Sequence, residues 1–249
     1  MERVTRAARV DDAVPLRASC GPPWWNLQSG KNRCSVCATL TSTCSRGTAL
    51  ALRTVMPRST HGRENARRQP RTALLLIDFM NPLDFVGAKA LARPATVAAK
   101  RTAVLKERLR ASRVPAIYAN DNFGRWESDF EAVVEHCRRR GGASAQLAEL
   151  LAPAKGDRSI LKPRHSAFFG TPLEFLLDEL RIDRLVLTGL SADSCIMFTA
   201  HDAYLRKYAL WIPGDCVASE REAFRRAALA HMARTLKADV GPSDAGVAE

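Results

Sequence analysis

Between residues 73 and 240, short apolar runs of strand length alternate with stretches of helical period. That alternation restricts the fold more than any other feature of the chain. Ala73-Leu74-Leu75-Leu76-Ile77 is apolar at every position, as a strand covered on both faces of a parallel sheet must be. Further strands are expected over 114–119, 158–161, 184–188 and 208–212. Helices are expected over 95–111 and 145–151, from Thr171, from Cys195, and from Ser219 to about Leu236. Two of them carry the spacing of a capping box, Thr171 with Glu174 and Ser219 with Glu222. Residues 123–142 read as a polar, aromatic loop closed by Arg138-Arg139-Arg140, a solvated helix end. The pattern predicts an α/β fold: a single-domain, open, mostly parallel sheet with helices on both faces.

The chain has 249 residues and a formal net charge of +12. Most of that charge, +9, falls in residues 1–72. The basic character therefore says little about what the folded body binds, and nucleic acid is not an expected partner. Residues 1–72 lack periodicity and read as a basic, disordered extension. An Arg-rich, acid-poor N-terminus also fits a transit peptide, and Met56 offers an alternative start. Cys34-x-x-Cys37 with Cys20 and Cys44 has no second clean pair, so zinc is not expected there. Cys137, Cys195 and Cys216 are an odd set without a disulfide pattern. A reducing cytoplasm is the expected compartment. No apolar run approaches membrane length, and residues 241–249 read as a loose tail.

Thr188-Gly189-Leu190-Ser191-Ala192-Asp193-Ser194-Cys195 follows a strand and precedes a helix. Cys195 then sits in the first helical turn, where the partial positive charge of the helix N-terminus favours a thiolate. The alternative is a buried structural cysteine. Asp78 and Lys162 also stand at strand ends, and in open parallel sheets sites form beyond the carboxyl ends of strands. A nucleophilic thiol, a carboxylate to move its proton, and a cation to steady the anions make a coherent set. Backbone N–H groups of the glycine turn can hold an oxyanion.

Three ordered motifs resemble a known family. They are Leu75-Leu76-Ile77-Asp78-Phe79-Met80-Asn81, then Leu161-Lys162-Pro163-Arg164-His165-Ser166-Ala167-Phe168, then 188–195 with Thr199 and Asp202-Ala203. Together they resemble the isochorismatase-like cysteine hydrolases over about residues 73–237. The resemblance implies a catalytic triad of Asp78, Lys162 and Cys195. It implies a cis peptide between Leu190 and Ser191, an oxyanion hole of the Ser191 and Cys195 N–H groups, and an oligomer. Asn122, Trp126 and Phe168 would line the substrate pocket. Metal-bearing nicotinamidases carry an aspartate and two histidines after the second strand. Here Asp121 has no histidine beside it, and His136 reads as structural. No metal and no cofactor is expected.

The reading that follows is hydrolysis of a C–N bond in a small amide or ureido compound through a thioester. Two alternatives stand beside it. One is vinyl-ether hydrolysis of isochorismate with Asp78 as general acid. The other is a non-catalytic interaction module that works through the basic N-terminus. The expected partners are a small-molecule substrate and further copies of the chain.

Overall fold

The computed structural model describes residues 71–124, 126 and 128–245. The disordered extension, the transit peptide and the Cys20, Cys34, Cys37 and Cys44 cluster lie outside the described residues. The strands are β1 (Thr72–Ile77), β2 (Ala116–Asp121), β3 (Arg158–Lys162), β4 (Arg184–Leu190), β5 (Ala209–Trp211) and β6 (Val217–Ala218). The helices are α1 (Ala88–Ala111), α2 (Phe130–Arg140), α3 (Gly142–Leu150), α4 (Leu173–Glu179), α5 (Met197–Leu205) and α6 (Glu222–Leu236). The sheet runs β3-β2-β1-β4-β5, all parallel, with β6 pairing the far end of β4. Chain order reverses on either side of β1, so its carboxyl end faces the crevice where such sheets bind ligands.

Each central strand feeds two cores, because successive side chains point to opposite faces. Ala73, Leu75 and Ile77 pack with Leu173 and Leu177 of α4, Ala200 of α5 and Met232 of α6. Leu74 and Leu76 pack with Leu91 and Leu105 of α1, Val134 of α2 and Leu147 of α3. An apolar run without alternation is what two covered faces require. Burying a Leu or Ile side chain contributes about 1.5–3 kcal/mol before entropy. The run 73–77, 0–1 % exposed, is therefore the fold's apolar axis.

Several local expectations change. Helix α1 begins at Ala88, a full turn or more before Ala95, with Pro94 inside it. Proline forfeits one backbone hydrogen bond, but Leu91 and Ala95 bury on the same face and carry the helix through. Residues 130–140 are a helix rather than a loop. The Asp129 side chain caps it by accepting from the Ala132 N–H at 2.7 Å, and Val133, Val134 and Cys137 form its buried stripe. The arginine triplet does end that helix.

Neither capping box closes. Thr171 Oγ1 accepts from the Leu173 N–H at 3.2 Å, but Glu174 pairs with Arg206 at 2.9 Å. Ser219 donates to Asp193 at 2.5 Å, and Glu222 pairs with Arg225 at 2.7 Å. A tertiary partner takes Glu174, whereas Glu222 is taken within its own helix by Arg225, three residues on. The start of the expected loose tail is tied down: Ser243 donates to both oxygens of Asp215, at 2.8 and 2.7 Å, and accepts from Arg108. No helix among the described residues is long and apolar enough to cross a membrane.

Gly189 fixes the approach of β4 to β1. It has φ +138°, and a Cβ there would lie 2.0 Å from the Ile77 carbonyl oxygen. No small side-chain shift relieves a clash with backbone. Gly189→Ala should cost about 3 kcal/mol or more, a fall in melting temperature of about 6–12 °C for a domain of this size. Thermal unfolding followed by circular dichroism checks it.

Candidate active site

Asp78 is the first residue beyond β1, in a left-handed backbone conformation with φ 52°. Its backbone N–H donates to the Ala119 carbonyl at 3.1 Å, which keeps the chain beside β2 as the strand ends. Its Oδ1 accepts from the Asp121 N–H at 2.8 Å. Its Oδ2 meets Lys162 Nζ at 2.8 Å. Lys162 closes β3, two strands away, and its side chain is 0 % exposed. The ammonium also donates to the Arg164 carbonyl at 3.2 Å and lies 3.7 Å from Asp121 Oδ2.

Cys195 enters from the other side of β1. The turn Ala192–Ile196 after β4 is a π-helical turn that precedes α5, wider than the α-helical turn expected. The peptide between Leu190 and Ser191 is cis. The Ser191 carbonyl accepts from the Ser194 and Ile196 N–H groups at 3.1 and 3.2 Å. The Cys195 Sγ sits 3.7 Å from Lys162 Nζ and 3.8 Å from His165 Nδ1, and the Asp78 carboxylate acts on its titration. Asp78, Lys162 and Cys195 thus converge on one point although 117 residues separate the first and last in sequence.

Other residues hold these three in place. Asn120, 1 % exposed, clamps the loop after Asp78: its Nδ2 donates to the Met80 carbonyl at 2.8 Å and its Oδ1 accepts from the Met80 N–H at 3.1 Å. Thr199 Oγ1 donates to the Cys195 carbonyl at 2.7 Å and accepts from the Ala167 N–H at 3.0 Å. Ser166 donates to Asp202 at 2.6 Å. The second and third motifs are therefore bolted together by their own polar side chains.

The cleft above the thiol has a volume of about 350 Å³. Its lining includes Phe85, Asp121, Phe123, His165, Ser191 and Glu220 along with Asp78 and Cys195. Asn122, Trp126 and Phe168 lie outside that lining. Asn122 is 6 % exposed and caps its own loop by accepting from the Gly124 N–H at 2.9 Å. The positive φ of Phe123 turns that ring, rather than Asn122, to the cleft. Trp126 is 77 % exposed. Phe168 packs in the core against Tyr208, with the Arg206 guanidinium 4.8 Å from its ring centre. Sequence reasoning missed Glu220 and Phe85 because nothing near them in sequence belongs to the motifs. His165 lay within a motif, but no chemistry was read from it.

The electrostatics reverse one expectation. Burial, then the charge of Asp78, pushes the Cys195 thiol up to about 12, with Lys162 pulling the other way. The helix start does not win against an adjacent carboxylate. Burial also raises the Asp78 carboxyl above the usual range, and the Lys162 charge opposes it. Burial disfavours the Lys162 charge, yet Asp78 and then Cys195 outweigh it and hold the ammonium protonated. The resting site therefore keeps a neutral thiol beside a carboxyl group able to take its proton. Among the described residues no group of three or more His, Cys, Asp or Glu side chains is placed to hold a metal ion.

Removing the Asp78 charge removes a contribution that raises the thiol, so Asp78→Asn should make Cys195 more acidic. Near neutral pH the wild-type thiol should alkylate with iodoacetamide more slowly than a free thiol does. The variant should alkylate faster than wild type, about tenfold for each pKa unit gained. Peptide mapping over a pH series reads both. Equal or slower labelling in Asp78→Asn would refute the coupling.

The Isochorismatase domain family matches residues 72–242. The uncharacterized isochorismatase family protein YaaI of Bacillus subtilis is 35% identical over 168 residues, 68% of this chain and 92% of its own length. The nicotinamidase of Staphylococcus aureus superposes with a TM-score of 0.55 at 25% identity, covering 70% of this chain and 98% of its own. The N-carbamoylsarcosine amidase of Thermoplasma acidophilum superposes with a TM-score of 0.52 at 26% identity, covering 72% and 99%. A family match over residues 72–242, on a sheet that brings the Asp78, Lys162 and Cys195 side chains together, leaves one assignment: the chain belongs to the isochorismatase family.

Proposed function

We propose that this hydrolase cleaves the C–N bond of a small amide or ureido substrate through a thioester on Cys195. The observation that carries the reading is that Cys195 and Asp78 line one cleft while the buried Lys162 Nζ lies 3.7 Å from Sγ and 2.8 Å from the Asp78 carboxylate. Asp78 takes the proton from Sγ as the sulfur attacks the carbonyl carbon. The Ser191 and Cys195 N–H groups hold the oxyanion. The tetrahedral adduct collapses, Asp78 returns the proton to the departing nitrogen, and an acyl-thioester remains. Asp78 then takes a proton from water, the hydroxide adds to the thioester, and the carboxylic acid leaves as the proton returns to sulfur. Lys162 stays protonated throughout and steadies the successive anions. None of these steps calls on a metal or cofactor. Relatives whose names identify them as a nicotinamidase and an N-carbamoylsarcosine amidase act on C–N bonds, which supports the reaction class.

One observation favours a second reading. Burial raises the Asp78 carboxyl, and a protonated carboxyl is what vinyl-ether hydrolysis of isochorismate needs. Two variants separate the readings. For the thioester route, Cys195→Ala and Asp78→Asn should each remove nearly all turnover of a panel of small amides. For the vinyl-ether route, Asp78→Asn should abolish isochorismate hydrolysis, because a positioned acid contributes about 100- to 10,000-fold. Cys195→Ala should then leave most of that activity. An active Cys195→Ala enzyme on its best substrate sinks the thioester route. Chelator should leave activity unchanged in either case.

The same reading includes assembly with further copies. Phe175 of α4 is 80 % exposed and Leu205 of α5 is 74 % exposed, a load of apolar surface that association would cover. Light scattering coupled to gel filtration should give a mass of at least twice the 27.4 kDa chain. A purely monomeric peak would refute it.

A further inference from the structure

We infer that His201 and His231 form a site for a divalent transition-metal ion between α5 and α6, apart from the cleft. The two rings come from helices thirty residues apart in sequence, and their Nε2 atoms face each other at 3.2 Å. The ring centres are 5.2 Å apart.

Both distances fit two imidazoles on one tetrahedral ion. With Zn–N bonds of 2.0–2.1 Å, two such nitrogens stand about 3.3 Å apart, and their ring centres about 5 Å apart. The protonation pattern also fits. His201 Nδ1 lies 2.7 Å from the Met197 carbonyl oxygen. A carbonyl only accepts, so Nδ1 must carry the hydrogen. The neutral His201 ring then presents a bare Nε2 lone pair toward His231. A ligating histidine usually donates its other N–H in this way, which fixes the ring and raises its basicity. Without metal, the same arrangement lets the His231 Nε2–H donate to His201 Nε2. Metal uptake needs no net loss of a proton: the His231 hydrogen moves from Nε2 to Nδ1, and the freed Nε2 lone pair coordinates the ion.

Imidazole pairs suit Ni²⁺, Cu²⁺ and Zn²⁺ rather than the hard cations Mg²⁺ and Ca²⁺. Two protein ligands leave positions on the ion for water or for a donor from another molecule. The ion would tie α6 to α5, the helix that continues from the Cys195 turn.

Calorimetric titration of the full chain with NiCl₂ tests the site, with His201→Ala and His231→Ala as single variants. Both residues are part-buried on helix surfaces, and circular dichroism reports whether each variant keeps its fold. Wild type should bind one Ni²⁺ through the pair, and each folded variant should bind it roughly tenfold more weakly or not at all. Because the ion bridges two helices, Ni²⁺ at a hundredfold excess over its dissociation constant should raise the wild-type melting temperature by about 5–10 °C. The variants should lose that rise. Uptake by Cys34 and Cys37 would persist in both variants and so reads as a separate component. If wild type takes up no Ni²⁺, or if both variants match it in affinity and thermal shift, the histidines are only a hydrogen-bonded pair and the site does not exist.

Discussion

The site depends on one buried ion pair. Lys162 Nζ and Asp78 Oδ2 meet at 2.8 Å with side chains 0 % and 7 % exposed. Taking two such charges out of water is costly, and their attraction offsets the cost only where hydrogen bonds satisfy what remains. Both partners meet that condition. Asp78 accepts from the Asp121 N–H, and Lys162 donates to the Arg164 carbonyl. Every one of these groups sits at the carboxyl edge of β1, β2 or β3. The parallel register that pairs Ile77 with Ala119 and Asp121 with Lys162 is thus also the register that assembles the charges. A shift of one residue would turn Lys162 to the opposite face of the sheet.

That pair also decides the state of the thiol. A cysteine near a helix start and a lysine is ordinarily activated. Here burial penalises a lone anion and the Asp78 charge outweighs that of Lys162, so the sulfur keeps its proton at rest. A neutral thiol paired with a carboxylate carries no net charge to desolvate beyond that of the ion pair. The same burial raises the Asp78 carboxyl, against the pull of the Lys162 charge.

The polar side chains outside the triad act on geometry. Asn120 pins the Met80 loop through two hydrogen bonds, and Thr199 ties the Cys195 turn to Ala167. Asp193 accepts from Ser219, which carries β6 and the start of α6 to the turn. Glu220 follows directly and reaches the cleft. The cleft is therefore walled by five separate segments, tied to one another by buried or half-buried polar bonds as well as by apolar packing.

How much of this was legible in the chain follows from which interactions are local. The run 73–77 announces a doubly covered strand, because only such a strand dispenses with alternation. Asp78, Lys162 and Cys195 stand at strand ends, and Gly189 opens the turn to the third of them, so the sheet and the convergence could be read from order and pattern. What only the tertiary structure decided lies in competition between partners. Thr171 and Glu174, and Ser219 and Glu222, have the spacing to cap helices, yet Arg206 takes Glu174 and Asp193 takes Ser219. The helical period reads from residue 95, yet the buried face of α1 extends back through Pro94 to Ala88. Asn122 stands just past the end of β2, yet it is the left-handed Phe123 after it that lines the cleft. The protonation of Cys195 depends on a carboxylate 117 residues away, and the His201–His231 contact on the packing of two helices. Spacing records where a side chain can reach; only the folded chain fixes which of several partners is nearest and how much water is left between them.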